Sequence, residues 1–256
     1  MASVEVVLPV YNEERALAPS VVKLHAYMGA NVFHDWRITI ADNGSKDGTL
    51  EIAERLAHEL PRVEVFHVPE AGRGRALSRA WFSSDADVSV YMDIDLSTGL
   101  EALPPLIDAI ATGRADVASG TRLGAGSQTN RSLKREVLSR GYVLMINAAF
   151  RGVRLRDTQC GFKAISRECA QTILALVQDT GWFWDTELLL LAAKGGWKVH
   201  YIPVRWEEDT DSRVKIASTV RKDMQGLWRM RGFDWRLAAK HRPGVQAPAG
   251  AQGRPI

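Results

Sequence analysis

The stretch Tyr91-Met92-Asp93-Ile94-Asp95-Leu96-Ser97 ends a short apolar run that begins at Val88 and places two carboxylates, one residue apart, at its C-terminal end. A run of this kind reads as a strand. In extended backbone, residues i and i+2 project from one face, so Asp93 and Asp95 are expected to address one ligand from positions about 6 to 7 Å apart at most. That suits a hard cation already holding a diphosphate, because Mg²⁺ takes one or two protein carboxylates and completes its shell with phosphate oxygens and water. It equally suits a solvated pair of turn aspartates. The sequence around the pair has to separate the two readings.

On either side, strand and helix patterns alternate. Val4 to Val10 reads as a buried strand, Glu14 to Met28 as a helix, Trp36 to Ala41 as a strand, Thr49 to Leu60 as a helix stopped by Pro61, and Val63 to Val68 as a third strand. Gly74 to Ser83, Asp87 to Met92, Glu101 to Ala111 and Ala115 to Gly120 continue as helix, strand, helix and strand. This alternation predicts an α/β fold, a mostly parallel central sheet with helices on both faces. Ligands then bind beyond the carboxyl ends of the strands, where Asp42 and the Asp93/Asp95 pair both fall. The second half is less regular. It reads as a helix over Ser132 to Phe150, strands over Gly161 to Ser166 and Lys198 to Trp206, a helix around Glu187 to Lys194, and basic amphipathic helices over Thr219 to Arg231 and Trp235 to Lys240.

At 46% hydrophobic residues, a chain of 256 can bury one large core or two modest ones. The net charge of +3 hides an asymmetry: Arg122 to Arg167 holds ten Lys/Arg against two Asp/Glu, an excess of +8 that leaves −5 for the remainder. Such a segment points to an anionic partner or to a solvated basic face. Cys160 and Cys169 form no C-x-x-C pair and have no histidine cluster nearby, which argues against zinc and a disulfide framework and for a reducing, cytoplasmic compartment. No signal-peptide pattern precedes Val4, and no apolar stretch reaches the roughly 18 to 20 residues of a membrane span. The expectation is a soluble or peripheral protein.

Further motifs flank the strand ends. In Leu8-Pro9-Val10-Tyr11-Asn12-Glu13-Glu14, Pro9 cannot donate a ladder hydrogen bond and is expected to mark a strand edge. Tyr11 and Glu13 can present a ring and a carboxylate to a base or sugar, or Glu13 can simply favour a helix start. Asp42 can accept from an imide or ribose hydroxyl, or cap an Asx turn with Asn43-Gly44. Gly72-Arg73-Gly74-Arg75-Ala76 lacks the third glycine of a dinucleotide fingerprint and follows the third strand, not the first. Its glycines are expected to let the backbone pass close to a nucleotide or sugar.

LPVYNEE (Leu8 to Glu14), DNGSKDGT (Asp42 to Thr49), GRGRA (Gly72 to Ala76), DIDLS (Asp93 to Ser97), GTR (Gly120 to Arg122) and DTQCGFK (Asp157 to Lys163) stand in the order and spacing of family 2 inverting glycosyltransferases. The chain resembles most the polyprenyl-phosphate and dolichyl-phosphate glucosyl- and mannosyltransferases, from about Val4 to Arg231. The resemblance implies a GT-A fold and a nucleoside-diphosphate sugar donor, UDP-glucose or GDP-mannose. It implies that Pro9, Tyr11, Glu13, Asp42 and Asp93 bind the nucleotide, and that Asp93 and Asp95 hold a divalent metal, Mg²⁺ or Mn²⁺. Arg122 would touch phosphate, where the family often has Gly-Ser-Arg. Asp157, Thr158 and Gln159 would flank the reacting centre. Asp185 and Glu187, in Trp184-Asp185-Thr186-Glu187, would orient sugar hydroxyls or support the metal site. Arg213 and Lys215 resemble the phosphate-closing loop of the family, although Asp211 replaces its usual Gly. The chain is expected to divide into a catalytic domain over 1–212, basic amphipathic helices over 213–241 and, from its Pro-, Gly-, Ala- and Gln-rich composition, a disordered tail over 242–256.

A phosphate monoester acceptor is largely dianionic at neutral pH and needs positioning and charge compensation more than a base. Arg131, Lys134 and Arg135, at the start of a helix whose apolar continuation runs from Tyr142 to Phe150, are expected to meet that phosphate or anionic headgroups, while the apolar run meets a lipid chain or the core. A hydroxyl acceptor, soluble or glycolipid, would instead require a base, for which Asp157 or Asp185 is available. The expected activity is metal-dependent hexosyl transfer to a polyprenyl phosphate, at the inner face of a membrane or with a membrane partner. Nucleic acid is not an expected partner. The competing readings are transfer to a hydroxyl and a non-catalytic nucleotide-sugar-binding protein.

Overall fold

The structure is a computed structural model that describes residues 1–130, 133–207 and 216–240. Its centre is a seven-stranded sheet. β1 (Ser3–Val10) pairs in parallel with β2 (Asp35–Asp42), and β2 with β3 (Val63–His67). On its other side β1 pairs in parallel with β4 (Val88–Met92). β7 (Phe162–Ser166) then lies antiparallel between β4 and β5 (Val117–Thr121), and β8 (Val199–Pro203) closes the sheet parallel to β5. The spatial order is therefore β3-β2-β1-β4-β7-β5-β8.

Alternation along the strands divides the core between the two faces. Val4, Val6, Leu8 and Val10 of β1 join Ile38 and Ile40 of β2 beneath α1 (Leu17–Asn31), α2 (Thr49–Glu59) and α4 (Leu103–Ala111). Val7, Tyr91, Val117 and Ile165 face the opposite way. They pack with α3 (Arg73–Ser83), α5 (Leu133–Ala149), α6 (Arg167–Ile173), α7 (Trp184–Lys194) and α8 (Ile216–Arg231). The α/β architecture expected from the sequence, a mostly parallel sheet covered on both faces, is the one observed.

Local departures have physical causes. α1 starts at Leu17, not Glu14, because Asn12 takes a positive φ of 55° and the Asn12 and Glu13 amides donate to Ser45 Oγ and Thr49 Oγ1 (3.0 and 2.8 Å). Lys198 to Trp206 is not one strand. It breaks after Pro203, and β9 (Arg205–Glu207) leaves the main sheet to pair with β6 (Gln128–Asn130). Pro9 does not end β1: it is buried within the strand opposite Ala41, and its missing N–H falls beyond the last β4 partner of β1, Val7. Beyond α8, a single 3-10 turn over Trp235–Ala238 replaces the expected helix; the Trp197 indole donates to Ala238 O (2.9 Å) and the Lys240 amide to Gly195 O (2.8 Å).

Candidate active site

The carboxyl ends of β1, β2, β4 and β5, with the oppositely running start of β7, open on one edge of the sheet. The first wall is stitched between loops. Lys46 N donates to Asn12 Oδ1 (2.8 Å), and Gly48 N to Glu14 Oε2 (3.1 Å). Asn43, expected from the sequence only as part of a turn, is buried, donates to Val10 O (2.8 Å) and accepts from Gly72 N (3.1 Å), so it fixes three loops at once. Asp42 is fully buried. Its Oδ2 accepts from Gly44 N (3.3 Å), Ser45 N (3.4 Å) and His67 Nδ1 (2.9 Å), while Oδ1 has no partner among the described residues. The Asx turn therefore accounts for one oxygen, and the other remains for a donor group such as an imide or hydroxyl. Tyr11, which follows the Asp42 partner Val10 at the end of β1, is 38% exposed.

The second element is the Asp93/Asp95 turn. β4 ends at Met92, so strand alternation does not place the pair as expected; Leu96 N returns to Asp93 O (3.2 Å), with Leu96 at φ 50°. Asp95 is exposed and accepts from Ser97 N (2.9 Å). Asp93 packs against the bare backbone of Gly161, where an added Cβ would meet its Oδ2 at 1.7 Å. Among the described residues no group of three or more His, Cys, Asp or Glu could hold a metal ion. Two hard oxygen donors, one exposed and one partly so, fit a cation that takes most of its shell from a diphosphate and water, and would not make an all-protein cage.

Behind this turn lies a charge network that the sequence did not reveal. Asp185, at the start of α7, accepts from Lys163 Nζ (2.7 Å), Arg73 Nη1 (2.7 Å) and the Tyr91 hydroxyl. Arg73 also donates through Nη2 to Asp93 Oδ1 (2.9 Å), and its guanidinium lies between the Tyr91 and Trp182 rings, 5.0 and 4.9 Å from their centroids. Burial alone would raise the Asp185 carboxyl, but Lys163 and then Arg73 overcome it and hold the group below its ordinary range. The glycines beside Arg73 serve this packing. An added Cβ at Gly74 would meet the Trp184 side chain at 2.7 Å, so the close approach there is to protein.

Asp157 and Arg122 form a third unit. Arg122 Nε, Nη2 and backbone N donate to the Asp157 carboxylate at 2.9, 3.0 and 3.0 Å. Again burial is overcome by the arginine, and Asp157 lies below its ordinary range. The Gln159 amide adds a hydrogen bond to Asp157 Oδ1 (3.2 Å), and its side-chain Nε2 reaches Asp223 Oδ2 on α8 (2.8 Å). Cys160 is a packed thiol, pushed up to about 12 by burial, with no nucleophilic character at neutral pH. Glu187 is buried and committed to Asp179 N (2.8 Å) and Arg229 of α8 (2.7 Å).

Thus Asp42, Asp93, Asp95, Arg122, Asp157, Gln159 and Asp185 gather along one edge of the sheet, while Glu187 ties α7 to α8. Arg131, Arg213, Lys215 and the Lys134 side chain lie outside the described residues. Arg135 is partly buried near the start of α5. The apolar half of α5 divides: Ile146 is in the core, whereas Leu144 is 71% exposed. With Val143, Asn147, Arg140, Leu123 and Arg156, Leu144 lines a hollow of about 520 Å³.

Comparison with known proteins agrees with this geometry. Residues 5–174 match glycosyl transferase family 2. Glycosyltransferase AglD of Haloferax volcanii is 38% identical over 222 residues, 85% of this chain and 35% of that protein. The dolichyl-phosphate beta-glucosyltransferase ALG5C of Trichomonas vaginalis is 30% identical over 227 residues, covering 84% of this chain and 67% of its own. The chain thus spans about a third of AglD and two thirds of ALG5C. Among solved structures, glucosyl-3-phosphoglycerate synthase of Mycobacterium tuberculosis, in complex with Mn²⁺, UDP and phosphoglyceric acid, superposes with a TM-score of 0.67 at 18% identity, over 91% of this chain and 80% of that one. That likeness establishes the GT-A fold.

Proposed function

The chain belongs to glycosyltransferase family 2, and from that membership we propose that it moves a hexose from a nucleoside-diphosphate sugar to a polyprenyl phosphate at the cytoplasmic face of a membrane. Glucose is the first candidate and mannose the second, in keeping with the dolichyl-phosphate glucosyltransferase likeness. One observation carries the choice of acceptor. The two carboxylates that a hydroxyl acceptor would enlist as base, Asp157 and Asp185, are both buried on cations and both held below the ordinary carboxylate range. A poor base suits a phosphate acceptor, which arrives as an anion.

In this reading the unpartnered Asp42 oxygen and the Tyr11 ring receive the nucleoside. Asp93 and Asp95 would hold a divalent cation on the donor diphosphate, where it neutralises leaving-group charge. Arg73 braces Asp93 from behind and keeps its carboxylate oriented. Arg122, held flat by Asp157, presents a fixed positive charge beside the anomeric centre. Arg140 and Arg156 at the α5 hollow offer charge next to apolar surface, as an amphiphilic phosphate requires.

The test is transfer from UDP-glucose and GDP-mannose, with Mg²⁺ or Mn²⁺, to a short polyprenyl phosphate and to the matching free prenol. Product from the phosphate alone is expected, and an Asp95→Ala variant should lose it. Turnover with the prenol and none with the phosphate would overturn the acceptor, and undiminished transfer by Asp95→Ala would overturn the metal assignment.

A further inference from the structure

We propose that Asp223 is a positioning residue for the transfer reaction, holding the Gln159 carboxamide from α8 so that its oxygen is presented to the reacting groups. The inference rests on the transfer reaction proposed above. Asp223 lies outside the stretch that matches the family and in the middle of α8, yet it is only 3% exposed. Its Oδ2 accepts from Gln159 Nε2 (2.8 Å), and its Oδ1 is buried with no partner among the described residues. Gln159 stands between the two charged units of the site: its backbone N–H is on Asp157 Oδ1 (3.2 Å), and two residues on, Gly161 packs against Asp93. Among the described residues none donates to Gln159 Oε1.

A carboxamide free to turn by half a revolution exchanges its donor for its acceptor. An ionised carboxylate can only accept, so Asp223 selects the orientation with nitrogen inward and oxygen outward. Neither an apolar residue nor an alcohol at this position would impose that choice. Burying a carboxylate with one idle oxygen costs folding free energy, and the orientation of Gln159 is what the arrangement secures in return. Protonation would cancel the selection, because the carboxyl O–H could then donate to Gln159 Oε1. Burial pushes Asp223 up to about 6, against the nearby Tyr142 hydroxyl and the hydrogen bond from Gln159, and with the charges of Asp179 and Asp185 adding to the rise. Those groups face it from α5, from the loop between α5 and β7 that carries Gln159, and from α7 with the loop preceding it; the Tyr142 hydroxyl also meets Thr186 Oγ1 (3.3 Å). Orientation is therefore held above about pH 6 and relaxes below it.

The experiment follows kcat and donor KM against pH for the wild type, Asp223→Asn, Asp223→Ala, Gln159→Ala and the Gln159→Ala/Asp223→Ala pair. Asp223→Ala is expected to lower kcat by about 10- to 100-fold, the range for losing an outer hydrogen-bond partner, with donor KM little changed. Asp223→Asn, which can still accept from Gln159 but does not titrate, should keep part of kcat and show a shallower acid limb than the wild type near pH 6, leaving only the one set by the second ionisation of the phosphate acceptor. In the Gln159→Ala background, Asp223→Ala should add nothing. An independent, additive loss in that background, an acid limb in Asp223→Asn as steep as in the wild type, or normal kcat in Asp223→Ala overturns the proposal. So does an equal, near-complete loss in the Asn and Ala variants, which would make Asp223 the base for a hydroxyl acceptor. If Asp223→Ala does not fold, the near-isosteric Asn variant decides through its pH profile. Absence of transfer by the wild type strikes the function proposed above; wild-type transfer with any of the overturning results strikes only Asp223.

Discussion

Lys163 is a full positive charge with no solvent exposure, in β7 at the middle of the sheet. Such a charge survives only where several acceptors surround it, and Nζ has Cys160 O (2.6 Å), Thr158 O (3.4 Å) and Asp185 Oδ1 (2.7 Å). Lys163→Met keeps the aliphatic stem and deletes the donors, so Asp185 loses the largest of the charges that hold it ionised. Breaking a buried pair by removing one partner costs about 3 to 5 kcal/mol, and Arg73 at 2.7 Å places this case at the lower end. Urea unfolding should report that loss as a lower midpoint at unchanged slope; a wild-type midpoint would show that Arg73 and Tyr91 satisfy Asp185 on their own. The sequence named Asp185 as a site residue but not its partners. Arg73 is 112 residues from it in the chain and Tyr91 is 94, distances over which local pattern carries no signal. Lys163 did leave a trace, since a lysine in a central strand must find a partner.

α8 shows what an isolated helix pattern can and cannot reveal. Asp223, Gly226, Leu227 and Met230 form its buried face, at the spacing of one helical stripe, and an added Cβ at Gly226 would meet the Phe183 ring at 2.3 Å. The basic, amphipathic character was legible in advance. That the inward face carries a carboxylate joined to the DTQCGFK segment was not, because Asp223 and Gln159 are 64 residues apart. The same limit applies to the sheet. Alternation predicted its strands, but β7 enters antiparallel between β4 and β5, and direction leaves no mark in hydrophobic periodicity. Leu227→Ala removes the apolar anchor beside Asp223. Truncating a buried leucine costs about 2 to 5 kcal/mol, more than one surface helix can absorb through its ion pair from Arg229 to Glu187. Limited proteolysis should then cut within α8 while the sheet domain stays resistant, and kcat should fall with the lost Asp223 contact. Unchanged protease resistance would mean that Met230 and Gly226 hold the helix without it.

At the scale of the molecule, the exposed apolar residues are not scattered evenly. Val220, Met224 and Trp228 lie four residues apart along α8 at 51%, 46% and 74% exposure, a second stripe beside the buried one. Arg221 and Arg231 flank it, both exposed, and the Arg231 guanidinium lies 5.5 Å from the Trp228 ring. On α5, Val137 and Leu144 are exposed at 69% and 71%. No helix among the described residues is long and apolar enough to cross a membrane; the lipid acceptor proposed above calls for a surface that can meet headgroups. A tryptophan stripe edged with cations is suited to that, with its rings at the headgroup level and each nearby Lys or Arg contributing about 1 kcal/mol on an anionic leaflet. Binding to vesicles of mixed phosphatidylcholine and phosphatidylglycerol is expected to be measurable by sedimentation and to weaken as salt shortens the reach of the charges. Trp228→Ser should reduce it roughly tenfold or more, the scale of one large side chain withdrawn from an apolar environment. Because Trp228 faces away from the Asp223 side of α8, the same variant should retain wild-type transfer to a short-chain acceptor dissolved in detergent while losing transfer to acceptor held in vesicles. Equal activity in both settings, with vesicle binding intact, would remove α8 from the membrane contact and leave α5 as the surface to test.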